Sequence, residues 1–204
     1  MNQHDMKNDY HLTTSYMNYV PGKEQIFGDI ISADHLDSGR NIKVGLVSTG
    51  YFEFWHQYDQ LLGKVKADAE VVRSEIAGRY DVVYTGLVDT IDKAIDAGKM
   101  LRDNNVDLVI LAYRTYIPEV YIHQLLTYVE NVPVLLLVSQ DRDTLKMDAD
   151  YCEIYRTSGF MAQVQLVAGL RKMGVYQNRL ATVAGSIYDP ATYEKVDSFV
   201  KTVE

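Results

Sequence analysis

Cysteine, proline and tryptophan are scarce in this sequence of 204 residues: it contains one cysteine, four prolines and one tryptophan. The single cysteine, Cys152, has no second thiol in the chain with which to form a disulfide, which is typical of a reducing compartment. No internal repeats and no low-complexity stretches are present. The sequence is therefore that of an ordinary globular protein rather than a disulfide scaffold or a repeat array.

Basic residues are fewer than acidic residues. The chain has 20 Lys and Arg residues against 28 Asp and Glu residues, a formal net charge of -8. The basic residues do not cluster anywhere along the sequence. Because binding to a phosphate backbone needs a basic field, we expect no nucleic-acid partner.

Long apolar runs are absent. No segment approaches the roughly 18 apolar residues that a membrane-spanning helix needs. The first ten residues are polar and contain no apolar stretch of the kind found in signal peptides. We therefore expect a cytoplasmic protein without membrane contact.

Several well-known site motifs are missing as well. A dinucleotide loop needs three spaced glycines after the first strand, and Gly50 stands alone there. No P-loop and no nucleophile-elbow motif occurs. The five histidines are far apart, with no metal-ligand spacing. We therefore predict no catalytic residue, no metal ligand and no cofactor site in this chain.

What the sequence does contain is a regular alternation of apolar strands and amphipathic helices after Asn41. With 47% apolar residues, the chain is long enough for one well-filled core. The strands are predicted at Val44–Val47, Val82–Tyr84, Leu108–Ala112, Val134–Val138 and Leu180–Ala184, each followed by a helix. The first helix is predicted from about Trp55 to Ile76, and Asp89 is predicted as the N-cap of the second.

This pattern predicts a three-layer α/β fold. Continuous apolar strands that alternate with helices indicate a doubly wound parallel sheet covered on both faces. Right-handed crossovers leave few topologies, of which we expect the flavodoxin-like strand order 2-1-3-4-5. Residues 42–204 form this domain. Residues 1–41 carry scattered aromatics without a period, and we expect them to form an arm that packs on the domain or on a neighbouring subunit.

The candidate site lies on the loops after the strands, because ligands of such sheets bind outside the carboxyl ends of the strands. The loop after the first strand contains Tyr51, Glu53, Trp55 and His56, and the loop after the third contains Arg114 and Tyr116. Aromatic faces beside hydrogen-bonding tips suit a polyhydroxylated ligand. The alternative is that Phe52 and Phe54 cap the core and that Trp55 fastens the start of the first helix.

At these loops the chain resembles the N-terminal domain of the L-arabinose and L-fucose isomerase family, from about Asn41 to the end. The residues that carry the resemblance are the loop Ser48–Tyr58, the segment Leu108–Tyr116 with Pro118, the strand Leu136–Gln140, the helix start Arg156–Gly159, and Ala184–Ser186 with Asp189-Pro190. The resemblance implies that Gln140 and Ser158 lie on the substrate side, with some of the first-loop residues. Ser158 stands where many of the arabinose isomerases have histidine, and the first loop is more aromatic than theirs.

The resemblance also implies a function. We expect a domain that contacts a small sugar or polyol and forms a homo-oligomer through the N-terminal arm and the strand-end loops. In the family, aldose–ketose isomerisation uses glutamates and histidines on a divalent metal, usually manganese, in a later domain that we expect this chain to lack. The isolated chain is therefore expected to be inactive.

Two other hypotheses stay open from the sequence. One is a stand-alone flavodoxin-like domain that senses a sugar or another small molecule, or binds a partner, without catalysis. The other is a flavin-binding electron carrier, because Ser48-Thr49-Gly50 faintly resembles a flavodoxin phosphate loop. The bulky residues that follow Gly50 are poorly suited to wrapping a phosphate.

Overall fold

The structure is a computed structural model and describes residues 42–139, 147–174 and 179–203. The predicted arm, residues 1–41, lies outside the described residues. So does Gln140, one of the predicted ligand contacts.

Five strands form one parallel sheet. They are β1 (Lys43–Thr49), β2 (Asp81–Val88), β3 (Leu108–Tyr113), β4 (Val134–Ser139) and β5 (Leu180–Gly185). Their order in the sheet is β2-β1-β3-β4-β5, and every neighbouring pair is parallel. The predicted α/β class and its flavodoxin-like strand order are therefore confirmed. The carboxyl ends of all five strands lie at one edge of the sheet.

Seven helices occur among the described residues. They are α1 (Phe52–Gln57), α2 (Leu61–Ala77), α3 (Ile91–Asp103), α4 (Glu119–Leu126), α5 (Tyr151–Arg156), α6 (Gly159–Met173) and α7 (Pro190–Val200). One layer consists of α3, α4 and α6, whose buried side chains share a core with one face of the sheet. The other layer consists of α2 and α7, which pack on the opposite face.

Alternation along the central strands produces the two cores. In β3, Val109 and Leu111 face the layer of α3, α4 and α6, whereas Leu108 and Ile110 face α2 and α7. Successive side chains of a strand point to opposite faces, so a strand buried on both sides must be apolar throughout. The middle strands β1, β3 and β4 are apolar along their buried length except for polar residues at the carboxyl ends of two of them, Ser48 and Thr49 in β1 and Ser139 in β4. The edge strands β2 and β5 are only partly buried.

The sequence predicts one continuous helix from about Trp55 to Ile76, and this prediction is wrong. The structure has two helices there, α1 and α2, separated by Tyr58-Asp59-Gln60. Gln60 has a left-handed backbone conformation with φ of 70°, which an α-helix cannot accommodate. The apolar positions with helical spacing, from Leu61 to Ile76, all lie within α2, so the period gave no sign of the break before it.

Two further sequence expectations are corrected at the carboxyl edge. The N-cap of α3 is Thr90, whose hydroxyl accepts a hydrogen bond from the Lys93 backbone N–H at 3.3 Å, and Asp89 has another role. The sequence also predicts a long polar loop from about Gln140 to Glu153. In the structure, helix α5 begins within that range, at Tyr151, and is capped by the Asp150 side chain.

Within the described residues, no helix combines the length and the apolar character that crossing a bilayer requires.

Candidate functional site

Aromatic side chains from three strand-end segments meet at the carboxyl edge of the sheet. We call them the aromatic rim; it consists of Tyr51, Phe54 and Tyr58 after β1, Tyr116 and Tyr121 after β3, and Tyr151 and Tyr155 after β4. The ring centroids of Tyr51 and Tyr116 lie 5.9 Å apart. The predicted meeting of the first-strand and third-strand loops is thus confirmed.

Helix α5 supplies a wall of the rim that the sequence did not reveal. The ring of Tyr155 lies 4.6 Å from Phe54 and 4.4 Å from Tyr58, centroid to centroid. Tyr151, one helical turn earlier, lies 6.3 Å from Tyr58 and is 70% exposed. The spacing of two tyrosines four residues apart, just after a capping aspartate, was the available signal.

The side chain of Trp55 contacts Asp89 and is not part of the aromatic rim. Its indole Nε1 donates a hydrogen bond to Oδ2 of Asp89 at 2.9 Å, and Lys93 Nζ donates to Oδ1 of the same carboxylate at 2.6 Å. Asp89 follows β2 and is 5% exposed. The indole N–H of Trp55 therefore fastens α1 to the end of β2.

Glu53 and His56 lie on α1 beside the rim. Glu53 is half-buried and His56 is exposed. The charge of Glu53 acts on Tyr121: partial burial, followed by the neighbouring Tyr51 and then Glu53, raises the pKa of Tyr121. The predicted ligand contacts of Glu53 and His56 remain predictions.

Ser158 joins the end of β3 to the junction between α5 and α6. Its hydroxyl accepts a hydrogen bond from the Tyr116 backbone N–H at 3.0 Å and donates one to the Tyr155 carbonyl at 2.8 Å. Gly159 lies against the Tyr113 backbone so closely that a Cβ there would be 2.9 Å from the carbonyl atoms. Ser158 thus holds two segments of the rim together.

Arg114 lies beneath the rim. Its side chain is 1% exposed, and its Nη2 is 2.7 Å from Oδ2 of Asp68, a buried residue of α2. The guanidinium therefore faces Asp68 in the structure, and its predicted contact with a ligand remains a prediction.

Asp68 receives donors from three different segments of the chain. Besides Arg114, the guanidinium of Arg156 donates to both of its oxygens, at 2.7 Å and 2.8 Å, and the Tyr188 hydroxyl donates to Oδ1 at 2.9 Å. We call Asp68, Arg114, Arg156 and Tyr188 the Asp68 hub. Burial alone would raise the pKa of Asp68, but the hydrogen bonds and charges of Arg156, Arg114 and Tyr188 together hold it below its ordinary value.

The pKa values of two phenols of the rim are raised above the ordinary tyrosine value. A side-chain hydrogen bond with Tyr155 is the main cause that raises the pKa of Tyr58. Partial burial, and then the charge of Glu119, raises the pKa of Tyr116. These two phenols can therefore act as both donors and acceptors.

The described residues do not fit a divalent metal. Throughout the described part of the chain, no three His, Cys, Asp or Glu side chains are grouped as ligands. The two buried carboxylates at this edge, Asp68 and Asp89, are already bonded to Arg and Lys cations.

These features define the class: an α/β protein with a flavodoxin-like parallel sheet and an aromatic strand-end surface. No protein-family model and no curated protein matches the chain. Among solved structures, the lac repressor dimer bound to operator and the anti-inducer ONPF is 12% identical with a TM-score of 0.31; the match covers 91% of this chain and 58% of the repressor chain.

Two other structures have similarly distant likenesses. An azoreductase from Bacillus anthracis str. Sterne is 12% identical with a TM-score of 0.31, covering 79% of this chain and 94% of that one. The LacI family transcriptional regulator CCPA from Weissella paramesenteroides, with bound glucose, is 12% identical with a TM-score of 0.28, covering 71% and 59%. At these levels the likenesses carry no functional argument.

Proposed function

We propose that the domain binds a small sugar or polyol at the aromatic rim, as the sugar-contacting N-terminal domain of an L-arabinose/L-fucose isomerase-like protein. The observation that carries the proposal is the convergence of aromatic side chains from the segments after β1, β3 and β4 at one edge of the sheet. This edge is where parallel α/β sheets bind ligands.

The chemistry of the rim suits a polyhydroxylated ligand. A pyranose or furanose ring has apolar C–H faces that pack on aromatic rings, and hydroxyls that need hydrogen-bond partners. The tyrosines of the rim offer both an apolar ring and a polar tip. The exposed His56 and half-buried Glu53 lie beside them and supply further polar contacts.

The proposal is confined to binding and positioning the sugar. The resemblance assigns the proton shift between C1 and C2 to metal-binding residues of a further domain, and the described residues here offer no ligand set for that metal. A homo-oligomer that uses the strand-end loops belongs to the same proposal. Binding to nucleic acid does not, because the chain has a net charge of -8.

Calorimetric titration of the purified chain with L-arabinose, L-fucose and the matching alditols tests this proposal. We expect dissociation constants of the order of 1 mM, which corresponds to about -4 kcal/mol. Phe54→Leu and Tyr155→Leu retain an apolar side chain but remove the aromatic face, so each should weaken binding about tenfold.

The matched control is Tyr128→Leu. Tyr128 follows α4 at the opposite edge of the sheet, where its ring packs under the Arg102 guanidinium. This variant should bind like the wild type. Equal affinity in all four proteins, or no heat of binding with any sugar of the panel, would contradict the proposal.

Added Mn²⁺ separates binding from catalysis. The wild-type chain should bind sugar with or without the metal and should not interconvert aldose and ketose. Measurable isomerisation by the purified chain would contradict the confinement of this domain to binding.

A further inference from the structure

Helix α5 forms a wall of the proposed site and yet has no buried residue of its own. It is six residues long, and isolated helices of that length are not stable in water. Its position must therefore be set by contacts that individual side chains make with the rest of the domain.

The shortest of those contacts lie at the carboxyl-terminal end of the helix, and Tyr151 at its start lies 6.3 Å from Tyr58, centroid to centroid. Tyr155 packs on Phe54 and Tyr58 within the rim. The next residue, Arg156, reaches in another direction and places both Nε and Nη2 on the carboxylate of Asp68. This two-point contact fixes the orientation of the guanidinium as well as its distance.

Asp68 is a rigid anchor for this contact. It lies in α2 and is 2% exposed, and Arg114 from the end of β3 holds Oδ2 from below. Tyr188, from the segment after β5, donates to the other oxygen. Because the buried anchor is held by elements of the sheet edge, it cannot follow α5 if the helix moves.

We infer that Asp68 is a positioning residue for the proposed sugar site, which acts through Arg156 to place Tyr151 and Tyr155 of α5 against the rim. The inference rests on the proposed function. Asp68 itself does not touch the ligand. Its carboxylate fixes the position of α5, which is one wall of the ligand-binding surface. The aromatic side chains of α1 and α5 keep their contacts because Arg156 is held in place.

Arg156→Gln tests the inference without unfolding the protein. Arg156 is 17% exposed in its side chain, and its removal leaves the buried Arg114–Asp68 pair intact. The matched control is Arg73→Gln, because Arg73 forms an exposed ion pair with Glu70 on the same helix α2. Arg156→Lys, which keeps one charged contact but loses the two-point geometry, serves as the conservative variant.

Two readouts are needed. Amide hydrogen exchange, measured without ligand, should become at least about tenfold faster in Tyr151–Arg156 of Arg156→Gln and stay unchanged in Leu61–Ala77. Sugar affinity by calorimetry should fall at least about fivefold in Arg156→Gln, partly recover in Arg156→Lys and equal the wild type in Arg73→Gln.

Unchanged exchange in α5 would overturn the inference, because the helix would then be held by other contacts. Faster exchange with unchanged affinity would also overturn it, because the position of α5 would not matter to the site. A wild-type chain that binds no sugar overturns the proposed function, whereas the ligand-free exchange comparison decides the Asp68–Arg156 link by itself.

Discussion

At the scale of single residues, the carboxylate of Asp68 is buried and is paired with the guanidinium groups of Arg114 and Arg156. A buried ion pair adds little over apolar packing, but removing one partner leaves an uncompensated charge at a cost of about 3 to 5 kcal/mol. Asp68→Asn should therefore lower the free energy of unfolding in urea by that amount. The control Glu70→Gln removes an exposed acid of the same helix and should change it by no more than about 0.5 kcal/mol.

The pH dependence of Asp68 has a definite sign. Because the folded state lowers the pKa of Asp68, its contribution to stability is fully present above the unfolded-state value of about 3.9. The contribution is lost as pH falls from there through the lower, folded-state pKa. Urea unfolding measured from pH 7 to pH 2 should show that the free energy of unfolding falls in acid in the wild type and falls less in Asp68→Asn. Parallel plots of that free energy against pH for the two proteins would contradict this account.

Tyr113 offers a second test at the residue scale. Its hydroxyl is buried without a hydrogen-bond partner among the described residues, and burial raises its pKa far above the ordinary range. Tyr113→Phe should therefore raise the free energy of unfolding by about 1 kcal/mol. In the control, Tyr193→Phe, the lost hydroxyl donates to the Ile187 carbonyl at 2.8 Å, so stability should fall by about 1 to 2 kcal/mol. The same sign in both variants would contradict this account.

The sequence placed Arg114 at the edge of the sheet but could not predict that its side chain turns inward. The partner that turns it inward, Asp68, stands on α2 between Lys66 and Glu70, two charged residues that are exposed. Asp68 differs from these neighbours in lying on the buried face of α2, three residues after Val65 and four before Val72, but this position does not reveal its partners. Those partners, Arg114 and Arg156, come from distant parts of the chain. Such long-range pairing leaves no local pattern.

At the scale of secondary-structure elements, Gly159 lies where helix α6 touches the end of strand β3. A Cβ on Gly159, the first residue of α6, would clash with the Tyr113 backbone, whereas a Cβ on Gly63 in α2 would meet nothing within 4 Å. Gly159→Ala should lower the free energy of unfolding by about 1 to 3 kcal/mol. Gly63→Ala should raise it by about 0.5 to 1 kcal/mol through helix propensity.

Thermal unfolding of the two alanine variants measures this difference. A stabilised Gly159→Ala would mean that α6 does not begin against the end of β3. A destabilised Gly63→Ala would mean that the first turn of α2 is packed rather than open.

The long elements were predictable and the short ones were not. Helices α2, α3 and α6 carry enough apolar positions to show a period, but α1 and α5 have six residues each and bury none completely. Their stability comes from the rim and from the Asp68 hub, which are tertiary features. The apolar pattern of the sequence therefore did not predict α5 or the wall that it forms.

At the scale of the whole molecule, the sequence limited the strand order to a few topologies, and the one that we expected among them is correct. Five apolar strands alternating with helices require a parallel sheet with right-handed crossovers. That topology places the ends of β1, β3 and β4 side by side. It thereby brings the segments of the aromatic rim together, although no sequence signal says how their rings stack.

The most direct test of a single sugar-binding surface is a titration followed by the NMR signals of labelled tyrosine rings. We predict that a binding aldose or alditol shifts Tyr51, Tyr116 and Tyr155 together, with one dissociation constant. Tyr80 and Tyr128, which lie toward the amino ends of the strands, should stay unshifted. Shifts limited to one segment, different constants for the three rings, or shifts centred on Tyr80 and Tyr128 would contradict the account.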